Sequence, residues 1–243
     1  MKSKGYLRFY NRLVYFDVDL EVVDVLLHNR NLLAGKNKIF KHICQRCHPN
    51  LHSHTNTPLA RQKVIQHLRK TIYISFIKDL YEEVTEYFRY ILKQGAKSIP
   101  QKGRLVGDIK LTFNANEILI ASSHDEIIES VTNKLFQELE SQKNTTLLIK
   151  QINSKLGLNI CESLQTEAMP YLLLRHIFVH SDGKPDRNFK ASYGSMFSLD
   201  AKGRISLQKQ HLNEAKSKVD ALITAFDQAM IEKNYFEQAE LQH

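Results

Sequence analysis

The fold is decided by residues 58–95, which read PLARQKVIQHLRKTIYISFIKDLYEEVTEYFRYILKQG. Apolar side chains recur there at spacings of three and four, at Ile65, Leu68, Ile72, Phe76, Leu80, Val84, Phe88 and Ile91. Because an α-helix has about 3.6 residues per turn, this spacing places them on one helix face. Thr57 before Pro58 suits the start of a helix, and Gly95 suits its end. The stretch therefore predicts one long, largely buried helix.

Further helical patterns occupy most of the remaining chain, at residues 124–139, 146–156, 166–180 and 208–232. Glycine and proline are scarce, at 9 and 5 residues, which favours helices over a turn-rich β fold. Residues 184–206 differ, because Asp200-Ala-Lys-Gly203 separates two short alternating runs and so indicates a hairpin. We predict an all-α fold, a helical bundle with a small β-hairpin insertion after the helix that ends at His180.

The N-terminal region is expected to form an extension, residues 1–58, packed on a helical domain of residues 59–235. A polar tail, residues 236–243, follows the domain. Residues 19–33 predict a helix capped by Asp19, while the alternation in residues 13–20 leaves a strand as the alternative.

The chain of 243 residues carries a net charge of +8 and has a pI near 9.3, which suits a polyanionic partner such as RNA. No stretch approaches the roughly 20 apolar residues of a membrane span, so no membrane partner is expected. Three cysteines do not make a disulfide framework, and no signal-peptide pattern begins the sequence. A cytoplasmic location is expected.

A second informative stretch is Arg175-His-Ile-Phe-Val-His180, followed by Ser181-Asp-Gly183. It sets a permanent cation and two imidazoles in an apolar run, where such groups cost free energy unless they are paired. On a helix, His176 and His180 share one side, and Gly183 and Pro185 end the helix. Arginine can bind phosphate and histidine can move a proton, which is the equipment for RNA cleavage. The alternative is a structural histidine near a helix end.

The motif helix is apolar on both sides, because Leu172 and Val179 lie on the same side as Arg175 and the histidines. A helix that is apolar all round is normally buried all round. We therefore expect a homodimer in which this second side contacts another copy of the chain.

Charged residues near the motif are candidates for a supporting role. Lys184, Arg187 and Lys190 follow His180 and are expected to bind the phosphate backbone of a substrate, the alternative being a solvated basic face. Acidic residues lie along the long helix at spacings of three and four, at Asp79, Glu82, Glu83 and Glu86.

These acidic residues are read first as a solvated helix face, and second as the source of a carboxylate that orients His180 or pairs with Arg175. Glu83 is preferred over Glu82 for that role by its helical phase with Asp79. The sequence shows no carboxylate cluster at metal-nuclease spacing, which favours metal-independent chemistry.

A cysteine and histidine cluster precedes the long helix. Cys44 and Cys47 have the Cys-x2-Cys spacing of half a zinc site, and His52 or His54 would complete it. Such a zinc ion would be structural, and no cofactor is expected for catalysis. The alternatives are unliganded side chains and, by spacing alone, c-type haem attachment.

The Arg175-x4-His180 pattern at a helix end resembles the Arg-x4-6-His signature of the HEPN superfamily, the higher eukaryote and prokaryote nucleotide-binding domains. Residues 74–88 resemble the long first helix of these domains, and residues 148–158 resemble the helix before the motif helix. Similarity covers residues 60–233 and is greatest to the prokaryotic branch associated with RNA repair and phage defence. Many members have a small polar residue where this chain has His176.

The resemblance implies a metal-independent endoribonuclease in which a ribose 2′-hydroxyl attacks the neighbouring phosphate. Arg175 and His180 would be catalytic, with His176 as a second proton carrier or substrate contact. Such an enzyme would act as a toxin or anti-phage effector. Its partners would be RNA, a second copy of the chain and an inhibitory antitoxin or defence-complex protein. The alternative is a non-catalytic HEPN module that binds nucleic acid or dimerises within a defence complex.

Overall fold

The computed structural model describes residues 1–28, 46–47, 49–54, 57–98, 102–141 and 144–242. Its helices are α1 (Lys4–His28), α2 (Pro49–His54), α3 (Pro58–Ser98), α4 (Lys102–Val106), α5 (Ala115–Leu119), α6 (His124–Ser141), α7 (Thr145–Leu156), α8 (Glu162–His180), α9 (Arg187–Tyr193) and α10 (Lys209–Glu232). Two short strands, β1 (Lys2–Ser3) and β2 (Leu241–Gln242), pair antiparallel and so bring the two ends of the described chain together. The predicted all-α fold is confirmed.

The central element is α3, whose 41 residues span about 60 Å at 1.5 Å per residue. The most extensive packing against it is by α1, α6, α8 and α10, and α2 and α7 also contact it. Most of the apolar side chains of its second half are buried, with Phe88 and Ile91 fully enclosed, and Phe88 meets Phe226 of α10 edge to face. The long helix predicted from residues 58–95 is therefore confirmed and ends three residues later, at Ser98. Its burial is confirmed only from Tyr73 onward, because the first part is mostly exposed, including Leu68 at 38%.

The N-terminal helix belongs to the same core as the rest of the bundle. Tyr6, Phe9, Leu13 and Leu20 of α1 are buried against α3 and α10. Their spacings of three, four and seven match one face of a helix, which explains why the strand alternative for residues 13–20 is wrong. The helix begins at Lys4 and not at Asp19, because Ser3 caps it: the Ser3 hydroxyl oxygen accepts the Tyr6 N–H at 3.1 Å.

The predicted hairpin is present as a tight antiparallel turn. Leu199 and Ile205 form its single bridge, and the Asp200 N–H donates to the Arg204 carbonyl at 2.8 Å. The segment before the hairpin is helical, because Asp186 caps α9 by accepting the Phe189 N–H at 2.7 Å. Within the described residues, no helix is both long and apolar enough to cross a membrane.

A buried carboxylate, Asp227 of α10, ties three parts of the chain together. It is fully enclosed and accepts the Ser3 N–H at 3.1 Å, the Ser3 hydroxyl, and the Tyr87 hydroxyl at 3.2 Å. Burial, with the neighbouring Asp227 charge, raises the pKa of Tyr87 well above its usual value. Tyr87 therefore stays protonated and remains a donor to the carboxylate. The cluster connects β1, α3 and α10.

Replacing this carboxylate should be far more damaging than removing one of its donors. Asp227→Ala leaves the Ser3 and Tyr87 hydroxyls buried without their acceptor, so we expect a loss of about 3 kcal/mol or more. Tyr87→Phe removes one donor and should cost about 1 kcal/mol. Urea unfolding of both variants measures the difference. Equal losses would show that the carboxylate does not organise the cluster.

Candidate functional site

The motif helix α8 ends at His180, as the Ser181-Asp-Gly183 sequence predicts, although it begins at Glu162, earlier than expected. The backbone N–H groups of Ser181 and Gly183 both donate to the Ile177 carbonyl, each at 3.1 Å. Gly183 has a φ of +77°, a backbone conformation that glycine adopts easily because it has no Cβ atom. This turn reverses the chain directly after His180.

Arg175 extends from α8 toward α3. Its guanidinium lies 5.1 Å from the centroid of the Tyr81 ring, within the range of a cation–π contact, and 3.5 Å from the Glu82 carboxylate. The Arg175 side chain is 31% exposed, so a ligand can still reach it. Tyr81 is buried, and burial raises the pKa of its hydroxyl. The neutral ring provides a firm platform that restricts where the guanidinium can lie.

The carboxylate that meets Arg175 is Glu82, and the preference for Glu83 is wrong. Glu83 lies 3.7 Å from Arg12 of α1, and partial burial raises the pKa of its carboxyl group. Consecutive residues on a helix point about 100° apart, so Glu82 faces α8 while Glu83 faces α1. The phase relation with Asp79 could not reveal this, because it does not say where α8 lies around α3.

His176 and His180 form a pair of imidazoles at the exposed end of α8. Their ring centroids lie 4.8 Å apart with the planes inclined at 49°, and both residues are exposed. The spacing of four residues predicted that they share a side of the helix, and the structure confirms it. Two ionisable rings in contact at a solvent-exposed helix end can transfer protons to and from a bound molecule.

Arg175 and His180 are separated by more than one helical turn. Five residues correspond to a rise of about 7.5 Å and a rotation of about 140°. Their contacts differ accordingly, since Arg175 meets Tyr81 and Glu82 whereas His180 meets His176. A single ligand that touches both groups must be extended, as a polynucleotide is.

The basic residues after the motif lie on an anchored surface. Lys184, Arg187 and Lys190 are exposed, and the last two lie three residues apart on α9. Buried Phe189 packs α9 against the bundle, touching the rings of Tyr193 and Phe197. The three cations therefore lie on the exposed segment that follows α8, which also carries the exposed carboxylates of Asp182 and Asp186.

The hairpin braces the turn that follows His180. The Ile205 N–H donates to the Gly183 carbonyl at 2.8 Å, and Arg204 bonds the Asp200 carboxylate at 2.8 Å. Hydrogen bonds from the Arg204 backbone and side chain hold the pKa of Asp200 to about 2. The carboxylate therefore stays charged at neutral pH, and the turn has a constant shape there.

Leu172 does not lie on an open side of the motif helix. It is 1% exposed within the single chain, buried with Tyr171 and Leu174 in the bundle, so it cannot contribute to a dimer contact. Val179 is 42% exposed, and within residues 162–180 it is the one large apolar side chain that is exposed to solvent. The expectation that Leu172 faces a second copy is wrong, because the bundle wraps further around α8 than the sequence suggested.

The proposed zinc ligands fall largely outside the described residues. Cys44 and the side chains of His52 and His54 lie outside the described part of the chain. Cys47 is described and lies in an exposed turn. Among the described residues, no group of three or more His, Cys, Asp or Glu side chains could hold a metal ion. The structural zinc site stays a prediction.

Tyr81 is the site residue that sequence reasoning missed. Its side chain is mostly buried in the bundle, as expected for an aromatic residue of a long core helix. Its position next to Glu82 was the available signal, because a residue adjacent to the carboxylate can reach the same arginine from the neighbouring side.

Comparisons with protein-family models, with curated proteins and with solved structures found no match. The resemblance to HEPN domains consequently stays a resemblance, carried by Arg175, His180 and the surrounding helices.

The glycine turn after His180 should tolerate a side chain poorly. In Gly183→Ala, the new methyl would meet the Phe178 ring at 3.3 Å and the Arg204 side chain at 3.5 Å, in a left-handed backbone. We expect a loss of about 2 kcal/mol. Gly203 has a φ of +74° with open space around it, so Gly203→Ala should cost about 1 kcal/mol through backbone strain alone.

Chemical unfolding of the two glycine variants checks this order. The imidazole NMR resonances of His176 and His180 should also shift in Gly183→Ala and remain unchanged in Gly203→Ala. Equal stabilities for the two variants would contradict the contact with Phe178.

Proposed function

We propose that this protein is a metal-independent endoribonuclease that cuts RNA by attack of a ribose 2′-hydroxyl on the adjacent phosphate. The observation that carries the proposal is the arrangement on α8, where an oriented, partly exposed Arg175 precedes the exposed His176–His180 pair. Lys184, Arg187 and Lys190 add three exposed cations in the segment after the helix end. This combination would supply phosphate binding and proton transfer within the last two turns of one helix.

In the proposed reaction, the 2′-oxygen forms a bond to phosphorus while the bond from phosphorus to the 5′-oxygen breaks. His180 accepts the proton of the 2′-hydroxyl, and His176 donates a proton to the departing 5′-oxygen. The products are a 2′,3′-cyclic phosphate and a 5′-hydroxyl. Both rings are exposed, so exchange of protons with water would restore the starting state.

Arg175 would stabilise the negative charge that develops on the phosphate oxygens. Its present partner, Glu82, is 60% exposed and lies at 3.5 Å, so the pair is weak and a phosphate can replace the carboxylate. The Tyr81 ring remains beneath the guanidinium in either case. Glu82 would therefore hold Arg175 in place until RNA binds.

We further propose a growth-arresting toxin or anti-phage effector that acts in the cytoplasm and is restrained by an antitoxin or a defence-complex protein. The net charge of +8 supports RNA as the substrate, since a polyanion is attracted to such a protein. A homodimer is part of the proposal. Because Leu172 is buried within the single chain, it does not support the motif helix as the dimer interface.

A second candidate is a non-catalytic module that binds nucleic acid. The separation of about 140° between Arg175 and His180 around α8 favours it, because both groups can bind an RNA chain without acting on one phosphate. This candidate predicts RNA binding without cleavage.

Loss of one imidazole should separate the two candidates. His180→Ala is expected to lower the rate of RNA cleavage by a factor on the order of 10²–10⁴, because proton transfer to the 2′-oxygen is lost. Arg175→Ala should reduce the rate comparably. His124, exposed at the start of α6, provides the matched control, and His124→Ala should cleave as the unmodified protein does.

Cleavage of a labelled RNA by each purified variant, with binding measured in parallel, gives both readouts. RNA binding by the unmodified protein without any RNA cleavage would favour the second candidate. Undiminished cleavage by folded His180→Ala would exclude the proposed role of His180.

The chemistry should not depend on a divalent metal ion. Cleavage is expected to continue in excess EDTA, and the fragments should carry a cyclic or 3′-phosphate and a 5′-hydroxyl. Treatment with a 3′-phosphatase that opens cyclic phosphates, followed by polyadenylation, identifies these ends. Strict dependence on Mg²⁺ with 3′-hydroxyl products would point to a different class of nuclease.

A further inference from the structure

The outward face of α1 carries a continuous line of exposed apolar side chains, here called the α1 stripe. Its members are Tyr10, Val14, Tyr15, Val18, Val22 and Val25. The exposed fractions run from 42% at Tyr10 to 70% at Tyr15. The opposite face of the helix is buried against α3 and α10, so the stripe is not part of the core.

The α1 stripe is exceptional among the long helices of the bundle. Among the other long helices, all completely described, α6 and α10 expose no large apolar side chain, α8 exposes Val179, and α3 exposes Leu59 and Leu68, nine residues apart. A solvent-facing helix surface normally carries polar residues, as α6 and α10 do. A contiguous apolar surface along a whole helix marks a contact surface.

Four of the six residues in the stripe are valines, and this choice is informative. Valine is a poorer helix former than alanine, leucine or glutamate, because its branched side chain loses rotamer freedom in a helix. Four valines on the solvent side therefore weaken α1 in the single chain. Burying these valines against a partner would offset that cost through the apolar surface removed from water.

The charges on α1 are divided between its two halves. Exposed Lys4, Arg8 and Arg12 make the N-terminal half basic, and exposed Asp19 and Glu21 make the C-terminal half acidic. A copy of α1 lying antiparallel would place the basic half of each helix beside the acidic half of the other. A parallel copy would place like charges together.

We propose that the α1 stripe is the interface between two copies of this chain, with the two α1 helices antiparallel about a two-fold axis. Such an axis makes the contact self-complementary, since each copy contributes the same surface. The helix of 25 residues gives a contact line of about 37 Å. The stripe includes no residue of the candidate site, so the proposal does not rest on the proposed ribonuclease activity.

The first test replaces the middle of the stripe. Sedimentation equilibrium over the micromolar range should show a dimer for the unmodified chain and a monomer for the Val18→Glu, Val22→Glu double variant. Each copy would bring two carboxylates into the contact, so we expect the dissociation constant to rise roughly 100-fold or more. Both positions are exposed, so the melting temperature of the dilute, monomeric protein should change little.

The matched control is Val179→Glu, which places the same change on an exposed valine of α8. It should remain dimeric. An unmodified chain that stays monomeric throughout the concentration range would overturn the proposal. Loss of the dimer in Val179→Glu, with retention in the α1 double variant, would also overturn it and place the interface on the motif helix.

The antiparallel orientation has its own test. Arg8→Glu should weaken the dimer by placing an acidic residue beside the acidic half of the partner helix, and adding Glu21→Arg should restore it. Restoration supports the antiparallel arrangement. A double variant that associates no better than Arg8→Glu alone would overturn it.

Discussion

The buried carboxylate of Asp227 is the constraint on which the arrangement of the bundle depends. A charged group in the core is tolerated only when its oxygens are fully hydrogen-bonded, and here Ser3 and Tyr87 supply the donors. Because Ser3 also caps α1, the carboxylate determines where that helix begins. The N-terminal segment, α3 and α10 are thereby held in one relative position, although Ser3 and Asp227 are 224 residues apart.

This constraint extends to the candidate site through α3. Tyr87 is held by Asp227, and Tyr81 and Glu82 lie less than two turns before it on the same rigid helix. Successive turns of one helix share its axis, so the anchoring of Tyr87 also sets the position of the surface that receives Arg175. The site is therefore built on the core of the bundle and not on a loop.

The helices and the end of α8 could be predicted from the sequence, because apolar periodicity and the glycine turn are local signals. The carboxylate partner of Arg175 could not be predicted from the sequence. Glu82 and Glu83 are adjacent in α3 and point about 100° apart, so the position of α8 decides which of them meets Arg175. Burial of Leu172 was hidden for the same reason. The Asp227 cluster had no local signal at all, because its members are far apart in the sequence.

The same turn of α3 connects both surfaces for which we propose a role. Glu82 meets Arg175 of the motif helix, and its neighbour Glu83 meets Arg12 at the margin of the α1 stripe. Burial already raises the pKa of Glu83, so its charge is sensitive to a further loss of water around α1. Glu82 and Glu83 are adjacent in α3, so one turn of the central helix contributes a carboxylate to the candidate site and another beside the α1 stripe.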